Sequence, residues 1–395
     1  GSNLSATRVD ASQLIEKGRE NVLLNSIWDG VGANVPPTSW SNGFTTGNYE
    51  AATSSFSGNT AIRFYGTTER RFLFTSIGFS GIHSVSFYVE SVVITQAISD
   101  IILQSNGTDI LYLKDGVSVA SSTAVVAGSY YTLVFNATGA TEIRLGGGIR
   151  GNRTYDFTIS VPQLEQGLTR TDYIETTTTT GKAGILENTP RFDYSGGATC
   201  PSLLLEPSRS NLVTLSEYPE GYAAAFRGSF NTNAAISPQG VQNASLFTED
   251  TTSNNTHFYA VTSLSWVAGT TYTISVYAKS NGRSIVLTQG NQNVINFTTY
   301  FNLTTGEVGN SNASNASIEN VGNGWYRCSV TQTALTTSGT NILINAWDEE
   351  EWNYTYTGNG VSGFYSYGHQ LEAGSYLTSY IPTYGVSQTR AVDNM

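Results

Sequence analysis

The sequence predicts an all-β protein made of two tandem antiparallel β-sandwich domains of jelly-roll type. Three observations predict this class: the composition, a two-residue alternation of apolar and polar side chains, and a duplicated series of short phrases. The length allows each of two domains to close a hydrophobic core of its own.

The composition is poor in helix formers and rich in residues that suit strands and turns. Charged residues make up 12% of the 395 residues, whereas there are 23 tyrosines and 40 glycines. Thr, Tyr, Val and Ile fit a pleated sheet, and Gly, Asn and Ser fit tight turns. The net charge of −11 leaves no basic stripe, and no apolar run has the length of a membrane span. We therefore expect no nucleic-acid partner and no membrane insertion.

The duplication is clearest in two phrases, which we interpret as the closing strand of each domain. "QLEQGLTRTDYI" occupies residues 163–174, and "QLEAGSYLTSYI" occupies residues 370–381. Three more pairs occur in the same order: RENVLLNS with RSNLVTLS, SVSFYVES with TISVYAKS, and SYYTLVF with GWYRCSV. The same order with drifting spacing indicates duplicated domains whose loops differ in length.

These phrases define the domain boundaries. We predict the first domain at residues 19–175, an extended connector at 176–208 and the second domain at 209–395. Within the connector, "RFDY" and "SLLLEP" are predicted to be short strands around a Gly-Gly turn. Residues 1–18 are predicted to be a similar N-terminal connector, and a short helix at residues 10–17 is the alternative. Because a connector of this kind joins two domains, we expect more protein upstream of it. The opening Gly1-Ser2 is interpreted as a cloning remnant or as part of a longer polypeptide.

A period of two runs through the middle strand of each copy. One face of each strand is apolar and the other polar, which is typical of antiparallel sheets with one buried side. The predicted core faces comprise Val85, Phe87 and Val89 in the first copy, and Ile274, Val276 and Ala278 in the second.

The two cysteines do not form a disulfide scaffold. Cys328 lies on a strand at the place that Leu133 has in the first copy, so we predict a buried thiol. A disulfide to Cys200 in the connector is the less favoured alternative. No zinc, nucleotide or hydrolase motif occurs, and we predict no metal, no cofactor and no catalytic residue.

Side chains suited to sugar recognition are densest in "NAWDEEEWNYTYTGN", residues 345–359. Aromatic rings offer flat apolar faces to sugars, while carboxylates and amides read hydroxyl groups. The period of two places Phe364 and Ser366 inward on the next strand, with tyrosines and a histidine facing outward. The candidate glycan-binding residues are Trp347, Asp348, Trp352, Tyr354, Tyr365, Tyr367 and His369.

Three interpretations of this aromatic face stay open: a sugar-binding face, a subunit or domain interface, and a sheet face covered by the domain's own loops. The acidic residues 348–351 are either a cation site or a solvated loop. A second cluster in the first domain, which suits an acidic glycan or is an ordinary strand end, comprises Trp28, Trp40, Arg63, Arg70 and Arg71.

Residues 190–213, "PRFDYSGGATCPSLLLEPSRSNLV", resemble the connector of tail-fibre and other virion structural proteins of bacteriophages. There an Arg-x-Asp-Tyr strand leads through a turn to Leu-Leu-Glu-x-x-Arg-x-Asn-Leu. The matching positions here are Arg191, Asp193, Tyr194, Leu204, Leu205, Glu206, Arg209, Asn211 and Leu212. The domain that follows is similar to jelly-roll domains of such proteins, which in turn resemble carbohydrate-binding modules. The resemblance covers roughly residues 176–395 and is weaker over 19–175.

This resemblance implies a structural segment of a tail fibre, spike or head fibre on the phage particle. The implied partners are a host cell-surface glycan and other virion subunits, with a homotrimeric assembly and no enzymatic activity. Related modules often place an Asp before the final Leu-Glu for calcium, whereas this chain has Pro162-Gln163 and His369-Gln370. The alternatives are a purely architectural decoration or adaptor protein, a secreted bacterial carbohydrate-binding module, and a depolymerase with two catalytic carboxylates.

Overall fold

The structure is a computed structural model that describes residues 5–44, 46–186, 189–222, 225–349 and 354–393. The chain forms two compact units: the first sandwich, Arg19–Ala183, and the second sandwich, Gly1–Gly18 together with Gly184–Met395. Among the described residues, helix is limited to α1 (Ile98–Ile101) and the 3₁₀ turns Ser195–Gly197 and Pro219–Gly221. The all-β prediction is confirmed. No helix in the described ranges has the length and apolar character needed to cross a bilayer.

The strands are numbered in chain order. The N-terminal segment contains β1 (Thr7–Val9) and β2 (Ile15–Lys17). The strands of the first sandwich are β3 (Arg19–Asn21), β4 (Ser41–Gly43), β5 (Asn48–Thr53), β6 (Thr60–Glu69), β7 (Arg71–Ile94), β8 (Ile102–Gln104), β9 (Gly107–Lys114), β10 (Val117–Val119), β11 (Ser129–Gly147), β12 (Arg153–Gln166) and β13 (Gly181–Ala183).

The remaining strands belong to the second sandwich. They are β14 (Phe192–Asp193), β15 (Ser202–Leu203), β16 (Arg209–Asn211), β17 (Gly228–Ile236), β18 (Gln242–Glu249), β19 (Phe258–Val261), β20 (Ser265–Trp266), β21 (Thr271–Asn281), β22 (Ser284–Gln289), β23 (Thr298–Asn302), β24 (Glu307–Ser311), β25 (Asn315–Gly322), β26 (Trp325–Thr333), β27 (Ser338–Gly339), β28 (Ile342–Trp347), β29 (Gly363–Ala373) and β30 (Gln388–Arg390).

The first sandwich is built on one long antiparallel ladder between β7 and β11. Its strands pair in the order β10-β9-β11-β7-β12-β6-β5, with β4 on β7 and β8 on β11. Leu73 near one end of β7 and Phe87 near the other are fully buried in a single core. The ladder therefore bends between them, where Gly78 and Gly81 lie on β7 and Gly139 lies on β11. The predicted core residues of this copy are all fully buried, which confirms the assigned face.

The second sandwich consists of two stacked sheets. The six-stranded sheet has the order β17-β18-β29-β21-β26-β25, and the five-stranded sheet has the order β19-β28-β22-β23-β24. Ile274, Val276 and Ala278 of β21 lie in the core between them, as predicted. Cys328 is fully buried, which raises the pKa of its thiol, and Cys200 is exposed and free. The buried-thiol prediction is confirmed.

Residues 5–17 form an antiparallel hairpin of β1 and β2, so the alternative of a helix at residues 10–17 is wrong. The reason lies in the turn. The Asp10 carboxylate accepts hydrogen bonds from the backbone N–H groups of Ser12 and Leu14, at 2.8 and 3.0 Å. Gln13 takes the left-handed conformation with φ of 63°. Such Asx turns compete with helix formation.

The repeated closing phrase encodes a hydrogen-bonded loop at the end of each sandwich. In the second sandwich, the Gln370 side-chain oxygen accepts from the Ile381 N–H at 2.7 Å. Glu372 accepts from the Thr378 N–H and hydroxyl at 2.9 and 2.6 Å. The same bonds recur in the first sandwich between Gln163 and Ile174 and between Glu165 and Thr171. The shared letters are therefore the residues that close each sheet.

One buried asparagine joins this loop to the start of each domain. The Asn211 amide donates to the carbonyls of His369 and Ile381, at 3.0 and 2.8 Å. Its oxygen accepts from the N–H groups of Val213 and Leu371, at 3.0 and 3.1 Å. In the first sandwich Asn21 accepts equivalent bonds from Leu23 and Leu164 and donates to Ile174. The Asn shared by RENVLLNS and RSNLVTLS is thus a structural pin.

Glu165 is expected to make the first sandwich less stable as the pH rises. Burial raises the pKa of this carboxyl above the ordinary value of 4.5. The folded state therefore binds the proton more tightly than the unfolded state does. The stability that this proton contributes to the first sandwich is complete below pH 4.5 and is lost as the pH rises through the folded-state pKa. Hydrogen exchange of first-sandwich peptides across this window should show a shallower pH dependence in Glu165→Gln. The exposed Glu175→Gln is the control, and an unchanged slope in Glu165→Gln would contradict the assignment.

Candidate functional site

The segment from residue 5 to residue 17, here called the strap, lies on the outer face of the six-stranded sheet. Ile15 packs in an apolar cluster with Tyr277, Tyr367 and Tyr380. The Thr7 hydroxyl donates to the Tyr380 carbonyl at 2.5 Å, and the Ile15 N–H donates to the Pro238 carbonyl at 2.9 Å. An aromatic sheet face is thus covered by another part of the same chain.

A buried ion pair fixes the end of the strap. Lys17 Nζ lies 2.9 Å from Glu217 Oε1, and the two side chains are 7% and 1% exposed. The hydroxyls of Tyr367 and Tyr384 donate to the same carboxylate at 3.0 and 2.9 Å, and that of Tyr380 does so at 3.3 Å. Burial and the nearby Glu217 raise the pKa of Tyr367 and Tyr380 well above the usual range, so both hydroxyls stay protonated as donors.

The connector hairpin of β14 and β15 is held to the strap by Arg191. Its guanidinium donates to the Thr7 carbonyl at 2.8 Å and to Glu206 at 3.0 Å, and it also pairs with Asp393. Burial opposes the charge, but the hydrogen bond to Asp393 and the charge of Glu206 outweigh it and raise the pKa of Arg191. The predicted short strands around the Gly-Gly turn are present, and Arg191 and Glu206 of the connector form a structural ion pair.

The strap, this hairpin and the six-stranded sheet enclose a cavity of about 490 Å³, here called the groove. Such a volume lies within the range of roughly 300–1,000 Å³ that small-ligand sites occupy. Its walls bring together three segments that are far apart in the sequence. The side chains that bear on its chemistry are Arg8, Gln13, Asp193, Tyr277, Glu319 and Arg327.

Most of the polar groups in the groove already have partners. Arg8 Nε lies 2.7 Å from Glu16, and Asp193 accepts from the Val9 N–H at 2.9 Å. The Gln13 amide donates to the Tyr194 carbonyl at 2.8 Å. These bonds fix the strap and hairpin walls of the groove. The contacts to a ligand would therefore come mainly from side chains of the six-stranded sheet.

Arg327 is a buried polar group of the groove that has unused hydrogen-bonding capacity. The residue is 8% exposed, and its guanidinium carbon lies 5.1 Å from the centre of the Tyr277 ring. Its Nη2 is 3.4 Å from the Ser275 hydroxyl, and its buried Nε has no hydrogen-bond partner in the described part of the chain. Glu319, directly across the β25–β26 ladder from Arg327, is exposed at the rim.

Two of the predicted binding residues, Trp347 and Tyr354, lie on the outer face of the five-stranded sheet. Trp347 is 2% exposed and packs edge-on against Tyr300 at 5.0 Å, with Tyr354 beside them. Asp348 lies 3.5 Å from Arg283, and Trp352 is outside the described residues. The structure therefore brings Trp347 and Tyr354 together in one small cluster, in which Trp347 offers little open surface.

The other three candidates are on the opposite sheet, and one of them faces the core. Tyr365 and Tyr367 point outward as predicted, and Tyr367 is fully buried in the apolar cluster that contains Ile15 of the strap. The outward orientation predicted for His369 is wrong, because a bulge at Gly368, with φ of 61°, shifts the register of β29 against β21. A Cβ at Gly368 would lie 2.9 Å from the Tyr277 ring.

His369 consequently belongs to the core. Its Nε2 lies 2.7 Å from the Tyr259 hydroxyl, and its Nδ1 lies 3.0 Å from the Ser216 carbonyl. Burial lowers the pKa of His369 to about 4, so the ring is neutral in ordinary buffers. Of the three interpretations of the aromatic face, coverage by the domain's own chain describes Tyr367. A glycan contact by any of the seven candidates stays a prediction.

The second predicted cluster does not form one surface in the first sandwich. Trp28 and Trp40 are buried in the core, with ring centres 6.0 Å apart. Arg63 pairs with Asp156 at 2.7 Å, and Arg71 is buried. Both tryptophans follow turns rather than an alternating strand, so the period of two could not assign their side.

The first sandwich also has a half-exposed aromatic patch that the sequence did not predict. Tyr88 and Tyr130 are cross-strand partners with ring centres 5.0 Å apart, and Phe56 contacts Tyr88 at 5.1 Å. Arg170 stacks 3.6 Å from the Tyr130 ring centre. The sequence feature that could have indicated this patch is the position of Tyr88, an aromatic residue on the polar face of its strand. Among the described residues, no three His, Cys, Asp or Glu side chains form a group that could hold a metal ion.

Comparison with known proteins gives little. No protein-family model and no curated protein matches the chain. Among solved structures, the chain is similar to the tandem CBM22-1–CBM22-2 domain of Xyn10C from Paenibacillus barcinonensis, with 13% identity, a TM-score of 0.27, and coverage of 90% of this chain and 98% of that one. A vicilin from Solanum melongena has 8% identity and a TM-score of 0.11 over 93% and 86% of the two chains. Similarities this low carry no argument about function.

Proposed function

We propose that this chain is a structural segment of a bacteriophage virion, in a tail fibre, spike or head fibre, that attaches the particle to a bacterial surface glycan. The observation that carries the glycan part is the groove of about 490 Å³ on the second sandwich. It brings Tyr277, an arginine, a carboxylate and amides together in one cavity, and polar groups of this kind can orient a sugar by hydrogen bonds.

Two observations support a virion role: the resemblance of the connector sequence to that of phage virion proteins, and the structural role of the Arg and Glu in that connector. The Arg191–Glu206 pair of the phage-like connector motif is largely buried and holds the strap against the sheet. Such pairing suits a segment that has to stay ordered on an exposed particle surface. A trimer would present three copies of a weak sugar site and gain affinity through avidity.

We propose binding without bond cleavage. A glycosidase needs two carboxylates with free oxygens on either side of the sugar bond. In the groove, Glu206 is paired with Arg191 and Arg390, and Asp193 accepts bonds from the Val9 and Ser195 N–H groups. Glu319 alone among these three carboxylates is exposed and has no such bond, which favours recognition over hydrolysis.

A purely architectural role is the second candidate. The half-exposed patch of Phe56, Tyr88 and Tyr130 on the first sandwich favours it, because tyrosines are enriched in protein interfaces. In that role the chain would bind other virion subunits and no glycan.

Binding of the intact chain to a glycan array tests the glycan proposal. Ser195 is exposed and lines the groove, so Ser195→Trp is expected to fill it and to lower binding at least about tenfold, a loss of one or two sugar hydrogen bonds. Thr199→Trp adds the same side chain to the same hairpin away from the groove and should bind like the parent. Absence of binding by the parent, or equal binding by both variants, would overturn the assignment.

A further inference from the structure

We infer that the groove selects a sugar that carries a single negative charge and that Arg327 binds its anionic group. This inference rests on the proposed function and names the class of glycan. It is carried by a guanidinium that is nine-tenths buried, lines a cavity and keeps an unpaired nitrogen.

A buried guanidinium without a partner is costly. Removing a charge from water costs several kcal/mol unless an opposite charge or hydrogen bonds replace the water. Arg327 has a weak contact to Ser275, at 3.4 Å, and the face of Tyr277, but no ion pair with any described carboxylate. The other buried arginines near the groove, Arg191 and Arg390, are both paired with Glu206. Arg327 is therefore the site at which an added anion would gain most.

The position of Arg327 is fixed before a ligand arrives. It sits at the centre of a three-strand ladder, opposite Tyr277 on β21 and opposite Glu319 on β25. The Tyr277 ring lies 5.1 Å from the guanidinium carbon and restricts the side chain, so the guanidinium is held at the wall of the groove as a fixed fork. Such a fork matches a carboxylate through two parallel hydrogen bonds, and little side-chain freedom is lost on binding.

Glu319 limits the charge of the ligand. Its exposed carboxylate stands across the ladder from Arg327, so a second negative charge on the ligand would approach a like charge. The same carboxylate can accept hydrogen bonds from sugar hydroxyls. The groove therefore suits a hexuronic or nonulosonic acid residue in a mostly neutral glycan, rather than a densely sulfated or phosphorylated polymer.

The test is an array of oligosaccharides that contain hexuronic or nonulosonic acids, each beside its methyl ester, which keeps the shape and removes the charge. The intact chain is expected to bind at least one acid about 10–100 times more tightly than its ester, the value of a charge-assisted hydrogen bond. Arg327→Gln is expected to bind acid and ester equally, Arg327→Lys to keep part of the preference, and Glu319→Gln to improve binding of sulfated analogues.

The acid–ester comparison on the unmodified chain keeps the proposal testable even if an Arg327 variant fails to fold. Binding of neutral glycans, or of acids and esters alike, would overturn the inference and leave glycan attachment standing. Absence of binding to every glycan of the array would overturn both. A preference for acids that survives in a folded Arg327→Gln would place the anion site elsewhere.

Discussion

Replacing Lys17 with methionine is expected to lower the free energy of unfolding of the second sandwich by about 3–5 kcal/mol, the range measured when a buried ion pair loses one partner. Methionine keeps the length of the side chain and removes the charge, so Glu217 stays buried without its cation. The tyrosine hydroxyls around Glu217 offset part of this cost. The loss should be felt first as release of the strap, because Lys17 is its last residue.

Hydrogen exchange of peptides from the strap and from β29, together with urea unfolding, measures the effect. Lys279→Met is the matched control, since Lys279 is half-exposed and donates to the Asn323 carbonyl at the surface. The double variant Lys17→Met/Glu217→Gln should lose less unfolding free energy than the two single variants lose together, because both partners of the pair are then neutral. Strict additivity would show that the pair does not couple.

Asn211→Ala is expected to lower the free energy of unfolding of the second sandwich by about 3–5 kcal/mol, because alanine leaves two buried N–H groups and two buried carbonyls without their partners. Asn211 is fully buried and joins three segments: its own strand, the closing strand β29 and the chain around Ile381. No other described side chain bridges these segments in the same way. The loss should therefore appear as a lower urea midpoint of the second sandwich.

The duplicated chain supplies two internal controls for this experiment. Asn21→Ala should destabilise the first sandwich and leave the urea midpoint of the second unchanged, since Asn21 makes the equivalent bonds there. Asn310→Ala, on the exposed edge strand β24, should change stability by no more than about 0.5 kcal/mol, as surface substitutions usually do. A midpoint for Asn211→Ala equal to that of Asn310→Ala would show that the pin is dispensable.

The sequence alone predicted those features of the fold that depend on residues close together in the chain. The alternation around Val85 and Ile274 identified the buried faces of β7 and β21, and the repeated phrases identified the closing strands before their hydrogen bonds were known. Cys328 followed from the same alternation. Each of these predictions depended on neighbours within a few residues or on comparison of the two copies.

The candidate site was less accessible to this reasoning. A one-residue bulge at Gly368 reversed the side assigned to His369, and glycine is too common in this chain to mark a bulge. The groove is made by residues from the strap, the connector and β26, and nothing in the strap's own sequence indicates that it packs against Tyr277. Arg327 was not among the candidates from the sequence, because its missing hydrogen-bond partner is visible only in three dimensions.

The division of the chain has a consequence for how such a protein can diversify. The second sandwich begins with residues 1–18 and resumes at Gly184, so the first sandwich is an insertion within it. The two ends of the insertion meet, since Arg19 pairs with Ala183, and in the host unit Gly184 lies against the Lys17 carbonyl. Closely spaced ends of this kind are the arrangement in which insertion of a whole domain is tolerated.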